Sequence, residues 1–163
     1  MTSRTAFAAV AFATFFASGS ALAADPPPVP YPAGYRAWVH VKTMQILPGH
    51  PLHGAFGGVH HLYANPKAMT GYRSGRFPDG AVIVFDLAEA VSADNTVTDG
   101  NRKVVGVMRK DAKRYAATGG WGFEGFKGDS RTERAVGANA AEACFGCHAP
   151  QKAKDYVFSA WKD

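Results

Sequence analysis

The pentapeptide Cys144-Phe145-Gly146-Cys147-His148 restricts what this chain can fold into more than any other stretch. Two thiols separated by two residues, with a histidine directly after the second, are typical of the covalent attachment site of c-type haem. On a helix, one turn brings Cys144 and Cys147 to the same edge of a porphyrin, and His148 can then bind the iron as the proximal ligand. We therefore expect one haem c, attached covalently through Cys144 and Cys147, with His148 as the metal ligand.

Three other interpretations of the two cysteines compete with haem. A structural zinc site usually takes four ligands from two clusters, but the sequence has no second cysteine pair and no finger-like spacing among its upstream histidines. A thioredoxin-like redox pair is expected near the start of a helix in a βαβ pattern, which the flanking sequence lacks. A disulfide between the two cysteines is the third alternative. The upstream histidines considered above as zinc ligands are His40, His50, His53, His60 and His61.

The N-terminal residues have the pattern of a secretory signal. Arg4 is followed by an apolar run from Ala6 to Ala17 and by the small-residue cleavage site Ala21-Leu22-Ala23. The run is too short to span a bilayer, which disfavours the alternative of a retained membrane anchor. We expect a periplasmic protein, because c-type haem is normally attached outside the bacterial cytoplasm. The predicted units are a signal peptide (residues 1–24), a proline-rich linker outside the fold (25–33) and one haem domain (34–163).

The charge balance limits the partners. The formal net charge of the 163-residue chain is +5 at pH 7, and this modest excess favours a soluble protein with an acidic redox partner. The basic residues are scattered along the chain rather than clustered, so nucleic acid is not an expected partner.

Hydrophobic periodicity and turn signals predict an α+β domain, predominantly an antiparallel β-sheet of four or five strands with short helices, one of which carries the haem motif. The 18 glycines and 10 prolines argue against a four-helix bundle. The Asn65-Pro66 pair predicts a helix start, Gly75 its end, and Asn139 the cap of the haem-bearing helix. Strands are predicted at 43–47, 59–63, 81–87, 103–109 and 121–126, helices at 34–42, 66–73 and 140–144, and a turn at 95–101.

With these segments in place, the chain resembles the cytochrome P-460 family and its relatives called cytochrome c′-beta. The resemblance covers most of the mature chain in the family order. The matching stretches are Tyr35–Val39, Leu62–Pro66, Ser74–Val84, Thr118–Phe123, Cys144–His148 and Asp155–Phe158.

The resemblance implies a predominantly β fold, often dimeric, with a five-coordinate haem whose distal side is open to small molecules. Members with a lysine cross-linked to the porphyrin oxidise hydroxylamine, whereas relatives without the cross-link bind nitric oxide. In this chain the position of that lysine corresponds to Gly71-Tyr72-Arg73-Ser74, and the role does not transfer to Lys67, the nearest lysine. The resemblance therefore favours a ligand-binding protein without the cross-link.

Several residues are candidates for the surroundings of the iron. Phe56 and Phe77 are the predicted distal walls, because both lie in segments that resemble the family's distal region; ordinary core packing is the alternative. Arg73 is placed at the haem edge, where it would pair with a propionate or polarise a bound nitrogen oxide, or else on the surface. His60 and His61 are adjacent on a predicted strand, so only one can point inward, as a distal group or as a satisfied core histidine.

Three functions remain open. The leading hypothesis is an exported monohaem cytochrome that binds nitric oxide or a related small ligand at a vacant iron position. The second is a six-coordinate electron carrier, in which Met44, Met69, Met108 or an upstream histidine supplies the sixth ligand. The third is a hydroxylamine-oxidising enzyme. A redox partner protein is expected in each case, and a homodimer is compatible with all three.

Overall fold

The computed structural model describes residues 28–162. Its centre is one antiparallel sheet of five strands, which neighbour each other in chain order. The strands are β1 (Val39–Ile46), β2 (Gly58–Ala64), β3 (Val82–Ala93), β4 (Thr96–Lys110) and β5 (Trp121–Lys127). The helices are α1 (His53–Phe56), α2 (Pro66–Ser74) and α3 (Ala140–His148), and single 3-10 segments cover Tyr35–Ala37, Ala116–Thr118, Gly137–Asn139 and Ala149–Lys154. The prediction of an α+β fold dominated by an antiparallel sheet is confirmed.

Each face of the sheet carries its own core, because alternate residues of a strand point to opposite sides. On β3, Ile83 faces the side on which α2 and α3 pack, which we call the helix face. Its neighbours Val82 and Val84 face the other side, where the N-terminal segment and Tyr115 pack. The helix-face core consists of Ala64, Ala68, Met69, Phe77, Ala81, Ile83, Trp121, Phe123 and Val157.

The two longest strands form the expected long hairpin, but its turn was predicted in the wrong place. The chain reverses at Asp94 and Asn95, which have φ angles of 49° and 58°, so this is a two-residue turn with both central residues in the left-handed region. Residues 96–101, predicted as a turn, instead belong to β4, and Thr96 pairs with Ala93. Asp99-Gly100 resembles a hairpin turn in sequence, but Asp94-Asn95 takes that role.

The helix predicted for residues 34–42 is wrong beyond its first turn. Only Tyr35–Ala37 is helical, and β1 begins at Val39. Val39, Val41 and Thr43 are β-branched and favour a strand, while Trp38 is half-buried rather than inside the core. The helix predicted from Asn139 is present as α3, although the Asn139 side chain makes no capping hydrogen bond.

Part of the predicted linker belongs to the fold. Val29 is 2% exposed within the core on the face opposite the helices. The Tyr31 ring packs edge-on against the Phe126 ring at a centroid distance of 5.1 Å. The Arg134 guanidinium also donates a hydrogen bond to the Val29 carbonyl at 3.0 Å. For residues 28–33 the predicted linker is therefore corrected, because apolar side chains between the prolines cover the sheet. The predicted signal peptide lies outside the described residues.

Helix α2 begins and ends as its sequence predicts. Pro66 occupies the first turn, and Gly75 ends the helix with a φ of 78°. Asn65 Oδ1 accepts the backbone N–H of Ala68 at 2.8 Å and that of Val82 at 3.0 Å. Asn65 Nδ2 donates to the Gly80 carbonyl at 3.0 Å. One side chain therefore ties the start of α2 to the start of β3. None of the helices within residues 28–162 is long and apolar enough to cross a membrane.

Replacing Asn65 with alanine should destabilise the protein by about 2 kcal/mol, because it removes a helix cap and two further hydrogen bonds. Urea unfolding at neutral pH measures the change. Thr70→Ala is the matched control on the same helix, because its hydroxyl is exposed and makes one long bond, 3.4 Å, to the Pro66 carbonyl. Equal effects of the two substitutions would contradict the role given to Asn65.

Candidate haem site

The two cysteines lie on α3, which packs against β5 beside the helix-face core. Cys144 is half-buried and contacts that core, whereas Cys147 is exposed, and both thiols are free. Burial raises the pKa of the Cys144 thiol, with smaller contributions from Glu124 and Cys147. A spacing of three residues on a helix places both sulfurs on adjacent turns of one side. This arrangement suits two attachment points on a single planar cofactor.

His148 ends α3 and is held by a hydrogen bond on one side of its ring. Its Nδ1 lies 2.8 Å from the carbonyl oxygen of Tyr156. A carbonyl can only accept, so Nδ1 carries the proton and donates it. Burial also lowers the pKa of His148, against a smaller effect of the Tyr156 hydrogen bond, which favours the neutral ring. In a neutral imidazole with a protonated Nδ1, Nε2 keeps its lone pair, as a metal ligand requires.

Aromatic rings fix the plane of the same imidazole. The His148 ring lies 5.0 Å from the Phe123 ring and 4.9 Å from that of Phe158, centroid to centroid. The ring of Phe145, inside the motif, packs against two further rings, with centroid distances of 6.2 Å to Phe123 and 5.3 Å to Tyr156. His148 is thus oriented by strand β5, by its own helix and by the segment that follows.

The helix face is not fully covered next to this motif. Leu62, Phe85 and Gly106 occupy one row across the middle strands, yet all three are only half-buried. The three nearest atoms to a Cβ added on Gly106 all belong to Phe85 and lie at 3.4 Å or more, which is ordinary van der Waals contact. Neighbouring Met108 is half-buried as well. An apolar surface left partly open beside two free thiols fits a large apolar cofactor.

His60 faces inward and His61 outward, as the alternation of β2 requires. His60 is 2% exposed, its ring lies 4.5 Å from that of Phe85, and its Nδ1 has no hydrogen-bond partner among the described residues. Burial, aided by the charge of Lys42 and by His61, lowers the pKa of His60 to about 4. His61 instead bonds the Thr43 hydroxyl at 2.8 Å and the Asp99 carboxylate at 3.0 Å. The buried histidine therefore lacks a hydrogen-bond partner at Nδ1. A buried polar atom without a partner is expected where an additional group binds next to it.

The structure separates the two predicted distal phenylalanines. Phe77 is 7% exposed in the closed part of the helix-face core, between Tyr72 at 5.1 Å and Trp121 at 5.4 Å. Phe56 is 39% exposed and packs edge-on against Phe85 at 5.9 Å. Phe56 therefore borders the open part of the helix face near His60, and Phe77 belongs to its packed part. Their roles toward a cofactor stay predictions.

The remaining candidates occupy three different environments. The Arg73 guanidinium lies over the Trp161 ring at 5.0 Å, at the C-terminal end of α2. Met69 is buried on the core side of that helix, Met108 is half-buried, and Met44 is 43% exposed on β1. Trp121 is completely buried, in agreement with a packing role.

Phe85 and Gly106 were not singled out from the sequence, and for Tyr156, in a terminal segment predicted to pack beside the haem, the role of the backbone carbonyl was missed. Phe85 and Gly106 lie on strands that were predicted, and the alternation of those strands would have placed them on one face with Ile83. The Tyr156 carbonyl gives no sequence signal, because every residue has one and only the turn after α3 aims it at His148. Within the described residues, no three His, Cys, Asp or Glu side chains come together as a metal-binding set.

Comparison with protein families gives a match over most of the chain. A family model described as Cytochrome P460 matches residues 32–159, which is most of the chain and includes the cysteines and His148. No curated protein matches the chain.

Acidification from about pH 6.5 to about pH 4 should destabilise the holoprotein through His60. The unfolded chain binds a proton at an ordinary histidine pKa, whereas the folded chain binds it only near the lowered value, so stability falls as the pH falls through this window. Urea unfolding at several pH values should show a smaller loss in His60→Phe. The exposed His50 supplies the control variant H50F, which removes no buried imidazole. A holoprotein in which NMR titration gives His60 a pKa of 6.5 or more would contradict this prediction.

Proposed function

The chain belongs to the cytochrome P460 family, a family of haem-binding cytochromes, and we propose that it is an exported monohaem cytochrome whose iron, held by His148, binds nitric oxide or a related small nitrogen oxide. The observation that carries the proposal is the 2.8 Å hydrogen bond from His148 Nδ1 to the Tyr156 carbonyl. This hydrogen bond leaves the lone pair of Nε2 available on an oriented, neutral imidazole, which lies beside two free cysteines.

Cys144 and Cys147 would attach the haem. Each thiol would add across one vinyl group, with the sulfur bonded to one carbon and the thiol proton transferred to the adjacent carbon, so no oxidant would be needed. When bound, the haem iron supplies reversible binding of small molecules and a one-electron redox change.

The open axial position is supported by what lies on the helix face. Met69 is buried on the core side of α2 and Met44 is exposed at the edge strand, and neither has the setting of a preformed sixth ligand; Met108 is half-buried on β4. Phe56 and Phe85 provide apolar walls in contact with each other. Such walls exclude water and favour uncharged ligands over anions.

The absence of a lysine cross-link is the second part of the proposal. Tyr72 stands in the segment where the family's cross-linking lysine is expected, and its hydroxyl bonds the Ser159 hydroxyl at 2.7 Å. The Lys67 ammonium donates to the Asp79 carbonyl at 3.2 Å on the exposed side of α2. Neither arrangement supports hydroxylamine oxidation, so we propose ligand binding rather than that activity.

One observation favours a second candidate function, six-coordinate electron transfer. His60 is an inward-facing histidine on the helix face with an unpartnered Nδ1, and a histidine with a free nitrogen is a possible sixth ligand. Under this alternative, replacing His60 converts a low-spin iron to a high-spin one.

Export and partners follow as proposals of the same rank. Members of the family are generally exported, which agrees with the secretory pattern of residues 1–24. We propose a periplasmic location, an acidic redox partner protein and the possibility of a homodimer.

The ferrous holoprotein should have a high-spin absorption spectrum that changes on addition of nitric oxide and of carbon monoxide, because one axial position is vacant. His60→Phe should leave the spin state unchanged and alter only the ligand affinity. His50→Phe is the control at an exposed position. A low-spin ferrous spectrum that neither gas changes would overturn the proposal, and recovery of a high-spin spectrum in H60F would then favour electron transfer.

A further inference from the structure

The turn that follows α3 has an unusual backbone. Asp155 and Tyr156, which are not glycines, have φ angles of 51° and 64°. The left-handed region costs such residues about 1 kcal/mol each. Two consecutive residues in this region persist only where their surroundings hold them, and Tyr156 is the residue whose carbonyl bonds His148.

Three hydrogen bonds from other parts of the chain fix Asp155. One carboxylate oxygen lies 2.6 Å from Lys110 Nζ, and the other accepts the backbone N–H of Phe77 at 2.9 Å. The backbone carbonyl of Asp155 accepts the indole N–H of Trp121 at 2.8 Å. The side chains of Lys110 and Asp155 are only 10% and 15% exposed, so their ion pair is shielded from water and is stronger than a surface pair.

Lys110 ties the same turn to the sheet. Its ammonium also donates to the Gly119 carbonyl at 3.1 Å and lies over the Trp121 ring at 5.0 Å. Gly119 allows the Tyr156 ring to approach, because a Cβ at that position would lie 2.2 Å from the ring. Asp155 and Tyr156 are therefore contacted by three other parts of the chain: the end of β4, the start of β5 and the loop before β3.

We propose that Lys110 and Asp155 are positioning residues for the proximal histidine: they hold the Tyr156 carbonyl where it accepts the Nδ1–H of His148. The inference rests on the proposed function, in which His148 binds the haem iron. His148 donates to a neutral carbonyl, and the neighbouring Asp155 carboxylate is engaged by Lys110 and by the Phe77 N–H. The acceptor of a proximal histidine sets its basicity and, with it, the strength of the iron–histidine bond.

The test compares three holoprotein variants with the unmodified holoprotein. Lys110→Met removes the charge but keeps most of the side chain, and Lys110→Arg restores a cation. Lys127→Met is the matched control, since the Lys127–Glu133 ion pair at 2.8 Å is exposed and Lys127 ends β5 away from the turn. The measurements are the iron–histidine stretching band of the ferrous protein by resonance Raman and the reduction potential.

In K110M we expect the iron–histidine band to shift to lower wavenumber and broaden, and the potential to become more positive, because the imidazole loses an aligned acceptor. K110R should recover most of both values, and K127M should match the unmodified protein. If K110M yields no folded holoprotein, Asp155→Asn decides the matter: asparagine tolerates the left-handed region and still accepts the Phe77 N–H, but it loses the ion pair. It should shift both measurements in the same direction.

Variants that lose thermal stability while the band and the potential stay unchanged would overturn the inference, since the network would then be structural only. A six-coordinate ferrous iron in the unmodified protein would contradict the proposed function alone, and the potentials of the variants would still decide the inference. A protein that carries no haem would overturn both.

Discussion

The imidazole of His148 is held by the Tyr156 carbonyl at 2.8 Å and by the rings of Phe123 and Phe158. The hydrogen bond selects the tautomer and the rings select the plane, so one nitrogen is left with a defined direction. The proposed role of His148 as the iron ligand depends on that nitrogen. Preorganisation of this kind costs free energy elsewhere, and the left-handed backbone at Asp155 and Tyr156 is where the cost is visible.

The two faces of the sheet differ in how completely they are covered. On the face opposite the helices, the buried Asp86 accepts from the Tyr35 hydroxyl at 2.6 Å and from the guanidinium of Arg102 at 2.7 Å. The N-terminal segment completes the core on that side with Val29. The helix face is closed around Phe77 and Trp121 but only half-covered around Phe85. The face opposite the helices thus has its buried carboxylate paired, whereas the helix face is partly open, which agrees with membership of a haem-binding family.

The strands and α2 could be predicted because their signals are local. Asn65, Pro66 and Gly75 mark the bounds of α2 by capping chemistry, and the apolar run of β3 leaves few alternatives. The turn predicted at residues 95–101 overlaps the observed turn at Asp94-Asn95 only in Asn95, because Asp99-Gly100 offers equally good turn residues and the register against β3 decides between them. The spacing of the cysteines and His148 predicts them as haem-site candidates from the sequence alone, whereas the turn that brings the Tyr156 carbonyl to His148 is bonded to Lys110, far away in sequence. Long-range contacts of this kind carry no signal in a single sequence.

The measurement that tests the central claim most directly is the mass of the exported protein under denaturing conditions, followed by mapping of the haem-bearing peptide after proteolysis. We predict the mass of the mature chain plus one haem, with the haem bound only to the peptide that contains Cys144 and Cys147, and no added mass in the double variant C144A/C147A. A chain without added mass, or a haem bound to any other peptide, would contradict the account.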